Sequence, residues 1–262
     1  MEHVTSADGT RIAYDRGGEG PPLVLVHGTT SDHRSWERIL PDLRERFTVY
    51  AMDRRGRGES GDSGPYDLRR EFEDVVAVCA AVDGPVNLVG HSYGALVSLG
   101  AAPSVPELRR LVLYEPPLLT DEREGPEPEV LDRMDEQLSD GEGEAVLETF
   151  FRDVTDAGDR LELYRAQPSW SMRVAAAATV PREVRAIASF DPDPADYADL
   201  DVLTLVLLGS ETREELSTAT RRAADLFPNG ELHVLEGEGH AAMYTAPDRL
   251  VAVVAGFLEG ED

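Results

Sequence analysis

Five short runs of apolar residues stand out along the chain. They lie at residues 22–27, 47–52, 86–89, 111–114 and 203–208. Continuous apolar runs of this length are typical of parallel strands that are buried on both faces of a sheet. A sixth run at residues 232–235 alternates more strongly, which predicts an edge strand. Near the N-terminus, Val4, Ile12 and Tyr14 flank a turn at residues 7–10, which predicts an antiparallel hairpin.

Segments with a helical period separate these runs. They lie at residues 36–44, 68–82, 95–102, 217–226 and 247–258, and the last begins with a proline, which is favourable in a first helical turn. Strands that alternate with helices predict parallel pairing through right-handed crossovers, with helices on both faces of the sheet. We therefore predict an α/β fold with a mostly parallel central sheet.

One long stretch, residues 117–199, lacks a buried-strand pattern. It contains acidic and alanine-rich segments of helical period at residues 130–138, 144–153 and 169–178. We interpret residues 117–199, called here the helical insertion, as a lid over the sheet. Residues 1–116 and 200–262 are then the core of a single catalytic unit.

Composition narrows the class of protein. The chain carries 51 acidic against 25 basic residues, a formal net charge of −26, and every basic residue is arginine. A protein with this net negative charge repels nucleic-acid phosphates and anionic lipid, so nucleic-acid and membrane binding are disfavoured. Two explanations of the acidic excess stay open, namely a source that lives in concentrated salt and a GC-rich codon bias.

The sequence indicates no targeting segment, metal site or disulfide. The N-terminus lacks a basic region followed by an apolar run, and no stretch approaches the roughly 20 apolar residues that cross a bilayer. The single cysteine, Cys79, has no partner for an intrachain disulfide, and no histidine lies in a metal-binding motif. We expect a cytoplasmic monomer or homodimer that acts on a small molecule without a cofactor or a metal.

A candidate nucleophile lies between a predicted strand and a predicted helix, in the sequence GHSYG at residues 90–94. A serine on a tight strand-to-helix turn presents its hydroxyl above the sheet, and glycines two residues to either side avoid collisions there. The helix that follows points its amino end at developing negative charge. Ser92 is therefore the candidate nucleophile. Ser63, in the sequence GDSG, resembles the nucleophile of chymotrypsin-like proteases, but those are all-β proteins.

His240 is the candidate general base. It lies in the glycine-rich sequence GEGH after the last predicted strand. Its position near the end of the chain suits a histidine that follows both the nucleophile and the acid in sequence. His91, next to the nucleophile, is expected to point away from it.

The loop after the first buried run supplies candidates for binding. Acyl transfer needs two backbone donors for the oxyanion, one from the residue after the nucleophile and one from a nearby loop. The amides of Thr29 and Tyr93 are the candidates. His27, Gly28 and Trp170 are candidate substrate-binding residues.

Together these motifs resemble those of the α/β-hydrolase superfamily. The resemblance rests on HGTTSDHRSW, DRRGRGES, LVGHSYG, LVLYEPP and GEGHAA, and it spans nearly the whole chain. It implies a serine hydrolase with a helical lid. It also implies that the DRRGRGES loop, residues 53–60, braces the site.

The acid of the catalytic triad has two candidates. In the superfamily an aspartate commonly follows the strand before the histidine strand, at the place where this chain has Thr212. Glu115 ends a predicted strand, a position from which some relatives supply their acid, and Glu211 lies one residue before the usual site. A buried carboxylate is needed to hold the histidine tautomer. We favour Glu115, which emerges from a buried strand, and keep Glu211 as the alternative.

We therefore predict a serine hydrolase that cleaves a carboxylic ester, a lactone or a related acyl bond through an acyl-enzyme. Because an acidic exterior does not steer anions inward, we expect a small, uncharged or weakly polar substrate. Cofactor-free haloperoxidase or carbon–carbon bond hydrolase chemistry on the same triad stays open, as does a non-catalytic protein that binds a small ligand. Serine at position 92 argues against a haloalkane dehalogenase or an epoxide hydrolase, because the members of the superfamily with those activities carry aspartate at the corresponding position.

Overall fold

A single mixed sheet forms the centre of the computed structural model, which describes residues 1–119 and 125–260. The strands are β1 (Glu2–Thr5), β2 (Arg11–Gly17), β3 (Pro22–Val26), β4 (Thr48–Met52), β5 (Val86–His91), β6 (Leu108–Tyr114), β7 (Leu203–Gly209) and β8 (Gly230–Leu235). β1 is antiparallel to β2 and β2 to β4, whereas β3 to β8 pair in parallel. The order across the sheet is β1-β2-β4-β3-β5-β6-β7-β8, which confirms the α/β class, the N-terminal hairpin and the edge position of the last strand.

Helices connect the strands and form the helical insertion. In residues 1–119 and 125–260, no helix is both long enough and apolar enough to cross a bilayer. The α-helices are α1 (Leu40–Arg44), α2 (Leu68–Ala80), α3 (Tyr93–Ala101), α4 (Pro128–Ser139), α5 (Gly143–Thr149), α6 (Leu161–Arg165), α7 (Trp170–Ala175), α8 (Val180–Ser189), α9 (Glu214–Asp225), α10 (Ala242–Thr245) and α11 (Pro247–Glu259).

Both faces of the sheet are covered by helices. On one face, Val75 of α2 and Leu96 of α3 belong to the same buried cluster as Val24 of β3. On the other face, Leu250 of α11 belongs to a second cluster with Leu25 of β3. Neighbouring residues of β3 therefore enter opposite layers, which explains why the strand is apolar at every position.

Three local expectations differ from the structure. Residues 36–44 do not form one helix: a 3-10 turn ends at Trp36 and α1 begins at Leu40. Pro41 has no amide to donate and its ring clashes with a preceding helical carbonyl, so a helix can begin but not continue there. The pattern also missed α6 and α8, although proline near the start of α8 is a helix-start signal. The segment predicted at residues 144–153 changes from α-helix to a π-helical turn at Phe150–Val154.

The helical insertion has a small hydrophobic cluster of its own. Its described residues, which lie between β6 and β7, form helices and loops without a strand. Met134 of α4, Leu147 of α5 and Val184 of α8 are buried together in this cluster. Ile187 of α8 belongs instead to the cluster that contains Val24 of β3, so the insertion is packed both internally and against the core.

The strand order places a crevice next to β3. The chain runs from β3 to β4 on one side and then crosses to β5 on the other side. In open α/β sheets, ligands bind at such a reversal, outside the carboxyl ends of the strands. The loop after β3 and the turn after β5 meet here, because a Cβ placed on Gly28 would lie 3.0 Å from the Cβ of Ser92.

Buried ion pairs join the helical insertion to the loop after β4. Glu183 of α8 is fully buried, and its Oε1 accepts hydrogen bonds from Arg54 Nη2 at 2.5 Å and from Arg57 Nη2 at 2.6 Å. Arg54 also pairs with buried Glu71. Burial alone would raise the pKa of Glu183, but the charges of the two arginines outweigh burial and lower that pKa below its usual value. This geometry agrees with the bracing role expected for residues 53–60.

Replacing Glu183 with glutamine is expected to lower the free energy of unfolding by about 3–5 kcal/mol, because it leaves two buried guanidinium groups short of negative charge. Denaturant unfolding followed by circular dichroism measures this change. Asp135→Asn is the matched control. Asp135 of α4 forms an ion pair with Arg185, which lies on α8 like Glu183, but this pair is at the exposed surface, where ion pairs contribute little to stability. Equal losses in both variants would contradict an anchoring role for Glu183.

Candidate active site

Ser92 lies on a strained turn between β5 and α3. Its backbone has φ 55° and ψ −125°, a conformation that non-glycine residues rarely adopt. A Cβ on Gly90 would overlap the carbonyl of Gly94, and a Cβ on Gly94 would overlap the carbonyl of Val26. Both glycines are therefore required for this turn, as the sequence motif predicts. The Ser92 amide donates to Tyr114 O at 2.8 Å, which fixes the turn to the neighbouring strand.

His240 forms a close pair with Glu115. The distance from His240 Nδ1 to Glu115 Oε2 is 2.5 Å. The Glu115 side chain is fully buried, whereas 40% of the His240 side chain is exposed. A histidine that donates from Nδ1 to a carboxylate keeps Nε2 free to accept a proton. Glu115 is thus positioned as the partner that this histidine needs.

Two donors hold the other oxygen of Glu115. Its Oε1 accepts from the Gly209 amide at 2.7 Å and from Thr212 Oγ1 at 2.5 Å. Glu211, the second candidate acid, is exposed at the cavity wall, and its carboxylate lies 3.4 Å from Ser210 Oγ. Thr212 occupies the place where the superfamily commonly has aspartate, and here it orients the substitute carboxylate.

The side chains of Tyr114 and His91 form hydrogen bonds with the loop that carries His240. Tyr114 donates its hydroxyl to Gly239 O and accepts from the Ala242 amide at 3.2 Å. His91 Nε2 bonds to His240 O at 2.8 Å, and the two imidazole rings lie 4.6 Å apart. Burial, and then the charge of His240, hold the pKa of His91 well below its usual range, so His91 stays neutral. The sequence analysis assigned no role to His91, which lines the cavity and holds the backbone of His240.

The loop after β3 is held by His27. Its Nε2 accepts from the Arg54 amide at 3.1 Å and its Nδ1 donates to Gly28 O at 2.9 Å. Burial, and then the charge of Arg54, hold the pKa of His27 well below its usual range. Because His27 is fully buried and both ring nitrogens are bonded to backbone, it braces the loop, and its assignment as a substrate-binding residue is corrected.

The two predicted oxyanion donors belong to segments that adjoin Ser92. Tyr93 begins α3, so its amide is one of those at a helix start that have no acceptor within the helix. Thr29 lines the cavity next to Gly28. Arg54, which pairs with buried Glu183 of the helical insertion, donates from Nη1 to Gly28 O at 3.3 Å, so this ion pair also contacts the loop that carries Thr29.

A cavity of about 340 Å³ contains the site. Ser92 and His240 line it together, with Gly28 and Thr29 on the side of β3. Trp170, a predicted substrate contact, is not among the described lining residues and packs instead against the cluster inside the helical insertion, with the Arg165 guanidinium 5.9 Å from its ring centre. The insertion supplies other lining residues, including Phe150, Phe151, Tyr164, Arg173 and Ile187.

One group of side chains in residues 1–119 and 125–260 has the spacing of metal ligands. Ligand atoms of Asp32, His33 and Asp53 lie within 4.8 Å of one another. Asp53 Oδ1, however, accepts from the His33 amide and lies 2.7 Å from His33 Nδ1, while Asp32 forms a salt bridge with Arg34. These atoms already serve the turn that leads into α1, and we assign no metal to them.

Comparison with known proteins gives a consistent result. A family model described as "Alpha/beta hydrolase family" matches residues 23–253. The crystal structure of an alpha/beta hydrolase from Sphaerobacter thermophilus is 34% identical, covers 98% of this chain and 100% of that chain, and has a TM-score of 0.87. An esterase from a Rhodococcus species is 27% identical, covers 99% of this chain and 98% of that chain, and has a TM-score of 0.78. The (E)-2-((N-methylformamido)methylene)succinate hydrolase of Acinetobacter baylyi is 27% identical over 255 residues, which are 94% of this chain and 93% of that protein.

Proposed function

Because the chain belongs to the alpha/beta hydrolase family, we propose that it is a serine hydrolase that cleaves a carboxylic ester, a lactone or a related acyl bond of a small molecule. One observation carries the proposal: Ser92 on its strained turn lines the same cavity as His240, whose Nδ1 is bonded to buried Glu115. A similar structure is that of an esterase, and a relative hydrolyses a substituted succinate, which supports a small acyl substrate.

The first step is the attack of Ser92 on the substrate carbonyl. His240 Nε2 takes the hydroxyl proton as Oγ bonds to the carbonyl carbon, so the histidine becomes an imidazolium. The carboxylate of Glu115, 2.5 Å from Nδ1, stabilises that cation without taking its proton. The bonds from Gly209 and Thr212 keep the carboxylate in place during this step.

The negative charge moves to the carbonyl oxygen in the tetrahedral intermediate. The amides of Thr29 and Tyr93 are proposed to donate to that oxygen, and the amino end of α3 adds a favourable dipole. Collapse of the intermediate breaks the acyl bond, and the leaving group takes the proton from His240. Water, deprotonated by the same histidine, then attacks the acyl-enzyme. The bond from the acyl carbon to Ser92 Oγ breaks, Oγ takes the proton back from His240, and the carboxylic acid leaves.

A panel of 4-nitrophenyl esters, from acetate to decanoate, tests this function directly. Wild-type protein and Ser92→Ala are compared in dilute buffer and in molar KCl, because the acidic composition leaves the working salt concentration open. We expect the wild type to release 4-nitrophenol from the preferred ester well above the Ser92→Ala background. Equal release by both proteins on every ester and at both salt concentrations would favour a protein that binds a ligand without turnover.

A further inference from the structure

Three arginines line the cavity that contains Ser92. They are Arg160, Arg173 and Arg213, and none forms an ion pair with a carboxylate of residues 1–119 or 125–260. The carboxylates of the lining itself, Asp156 and Glu211, are both exposed. An excess of positive charge therefore lines one cavity in a protein whose formal net charge is −26.

Arg173 of α7 is the most deeply placed of the three. Its residue surface is only 9% exposed, and its Nη1 donates to Thr30 Oγ1 at 2.8 Å. Its Nε is buried and has no hydrogen-bond partner in the part of the chain that the structure describes. The ring centre of Tyr164 lies 5.3 Å from the guanidinium carbon. Thr30 directly follows the proposed oxyanion donor Thr29, so the guanidinium lies beside the oxyanion loop.

A buried guanidinium without a carboxylate partner is costly for the folded protein. Removing a charge from water is unfavourable unless an opposite charge and hydrogen bonds compensate for the loss. Arg54, which is also buried, has both Glu71 and Glu183 as partners. Within residues 1–119 and 125–260, the Arg173 guanidinium has only a hydroxyl and an aromatic ring as partners, which leaves part of its charge and its donors unused.

We propose that the substrate carries a carboxylate, separate from the acyl bond that is cleaved, and that Arg173 binds this carboxylate. A planar guanidinium matches a carboxylate through parallel hydrogen bonds. Arg160 and Arg213 add positive charge at more open positions of the cavity wall. This inference rests on the proposed function and names the substrate class of the same site. It replaces the expected uncharged substrate, because charges that line a cavity dominate the local field there.

Two esters that differ only in one charge test the proposal. They are 4-nitrophenyl hydrogen adipate, which carries a free carboxylate, and 4-nitrophenyl methyl adipate, in which that carboxylate is a methyl ester. We expect the wild type to have a kcat/KM about 10- to 100-fold higher for the charged ester, the range of a hydrogen bond to a charged group. Arg173→Met should abolish most of this preference, and Arg173→Lys should restore part of it.

Arg133→Met is the matched control variant. Arg133 also belongs to the helical insertion, but it is half exposed and paired with Asp153. Its replacement changes the net charge by the same amount as Arg173→Met. We expect the ratio of kcat/KM for the charged ester to that for the methyl ester to stay at the wild-type value. A ratio near one in the wild type, or an unchanged ratio in Arg173→Met, would overturn the carboxylate site while leaving the hydrolase function standing.

A binding measurement separates this proposal from the proposed function. Adipate is expected to raise the melting temperature of Ser92→Ala, and to have little effect on the double variant Ser92→Ala, Arg173→Met at the same concentration. Adipate binding without hydrolysis of either ester would support the anion site and count against the hydrolase. Hydrolysis of the esters, with no preference for the charged ester and no effect of adipate on the melting temperature, would support the hydrolase function and count against the anion site.

Discussion

Replacing Ser92 with alanine is expected to lower kcat for the preferred ester by about 10⁴- to 10⁶-fold, the range seen when the nucleophile of a serine triad is removed. The loss is large because no acyl-enzyme can form without the hydroxyl. The fold should persist, since the bond from Ser92 to Tyr114 uses the backbone amide and the two flanking glycines are unchanged. Steady-state kinetics, together with thermal unfolding of both proteins, measures the effect.

Ser63→Ala is the matched control for this variant. Ser63 lies in a second glycine-flanked sequence but is exposed outside the cavity. We expect it to retain wild-type kcat. Activity that survives in Ser92→Ala but is lost in Ser63→Ala would move the nucleophile to the other serine.

The second large effect is expected from Glu115→Gln, which should lower kcat by about 10³- to 10⁴-fold. The amide carbonyl can keep the bonds from Gly209 and Thr212, so its NH₂ group turns towards His240 Nδ1. His240 must then accept at Nδ1 and carry its proton on Nε2. In that tautomer it cannot deprotonate Ser92, and no negative charge stabilises its cation.

Glu211→Gln provides the comparison that separates the two candidate acids. Glu211 lies at the cavity wall, exposed and one residue before Thr212, without a bond to His240 among those described. We expect the kcat of Glu211→Gln to stay within a small factor of the wild-type value when it is assayed on the same ester as Glu115→Gln. A large loss in Glu211→Gln together with retained activity in Glu115→Gln would reverse the assignment.

The sequence predicts the part of the site that depends on local geometry. The turn at Ser92 needs small residues at positions 90 and 94 because neighbouring backbone approaches closely, and this requirement is visible as a motif. The parallel strands are equally recognisable, since burial on both faces makes them continuously apolar. His240 follows from its place after the last strand.

The choice of acid needed the three-dimensional structure. Glu115 and Glu211 are 96 positions apart in sequence, yet both approach the end of β7, and only the packing shows which carboxylate faces His240. The roles of Tyr114 and His91 were also missed, because a bond to a distant backbone carbonyl leaves no local pattern. Threonine at position 212, in place of the usual aspartate, was the available signal for the relocated acid.

The helical insertion was predicted as a whole but not in detail. Helical periodicity shows which side of a helix is apolar, but it does not show whether that side faces the sheet, the cavity or another helix of the insertion. Trp170 was therefore assigned to the cavity although it packs inside the insertion. Arg173, three positions later, received no role, because net charge describes the exterior and says nothing of a single cavity.

Labelling with a fluorophosphonate tests most directly whether Ser92 is activated by His240. The wild type, Ser92→Ala and His240→Asn are treated with the reagent, and the modified peptide is identified by mass spectrometry. We predict a single adduct on Ser92 in the wild type, no adduct at that position in Ser92→Ala, and labelling slowed by about 10²-fold or more in His240→Asn. An unlabelled wild type, an adduct on another serine, or equal rates in the wild type and His240→Asn would contradict the proposed mechanism.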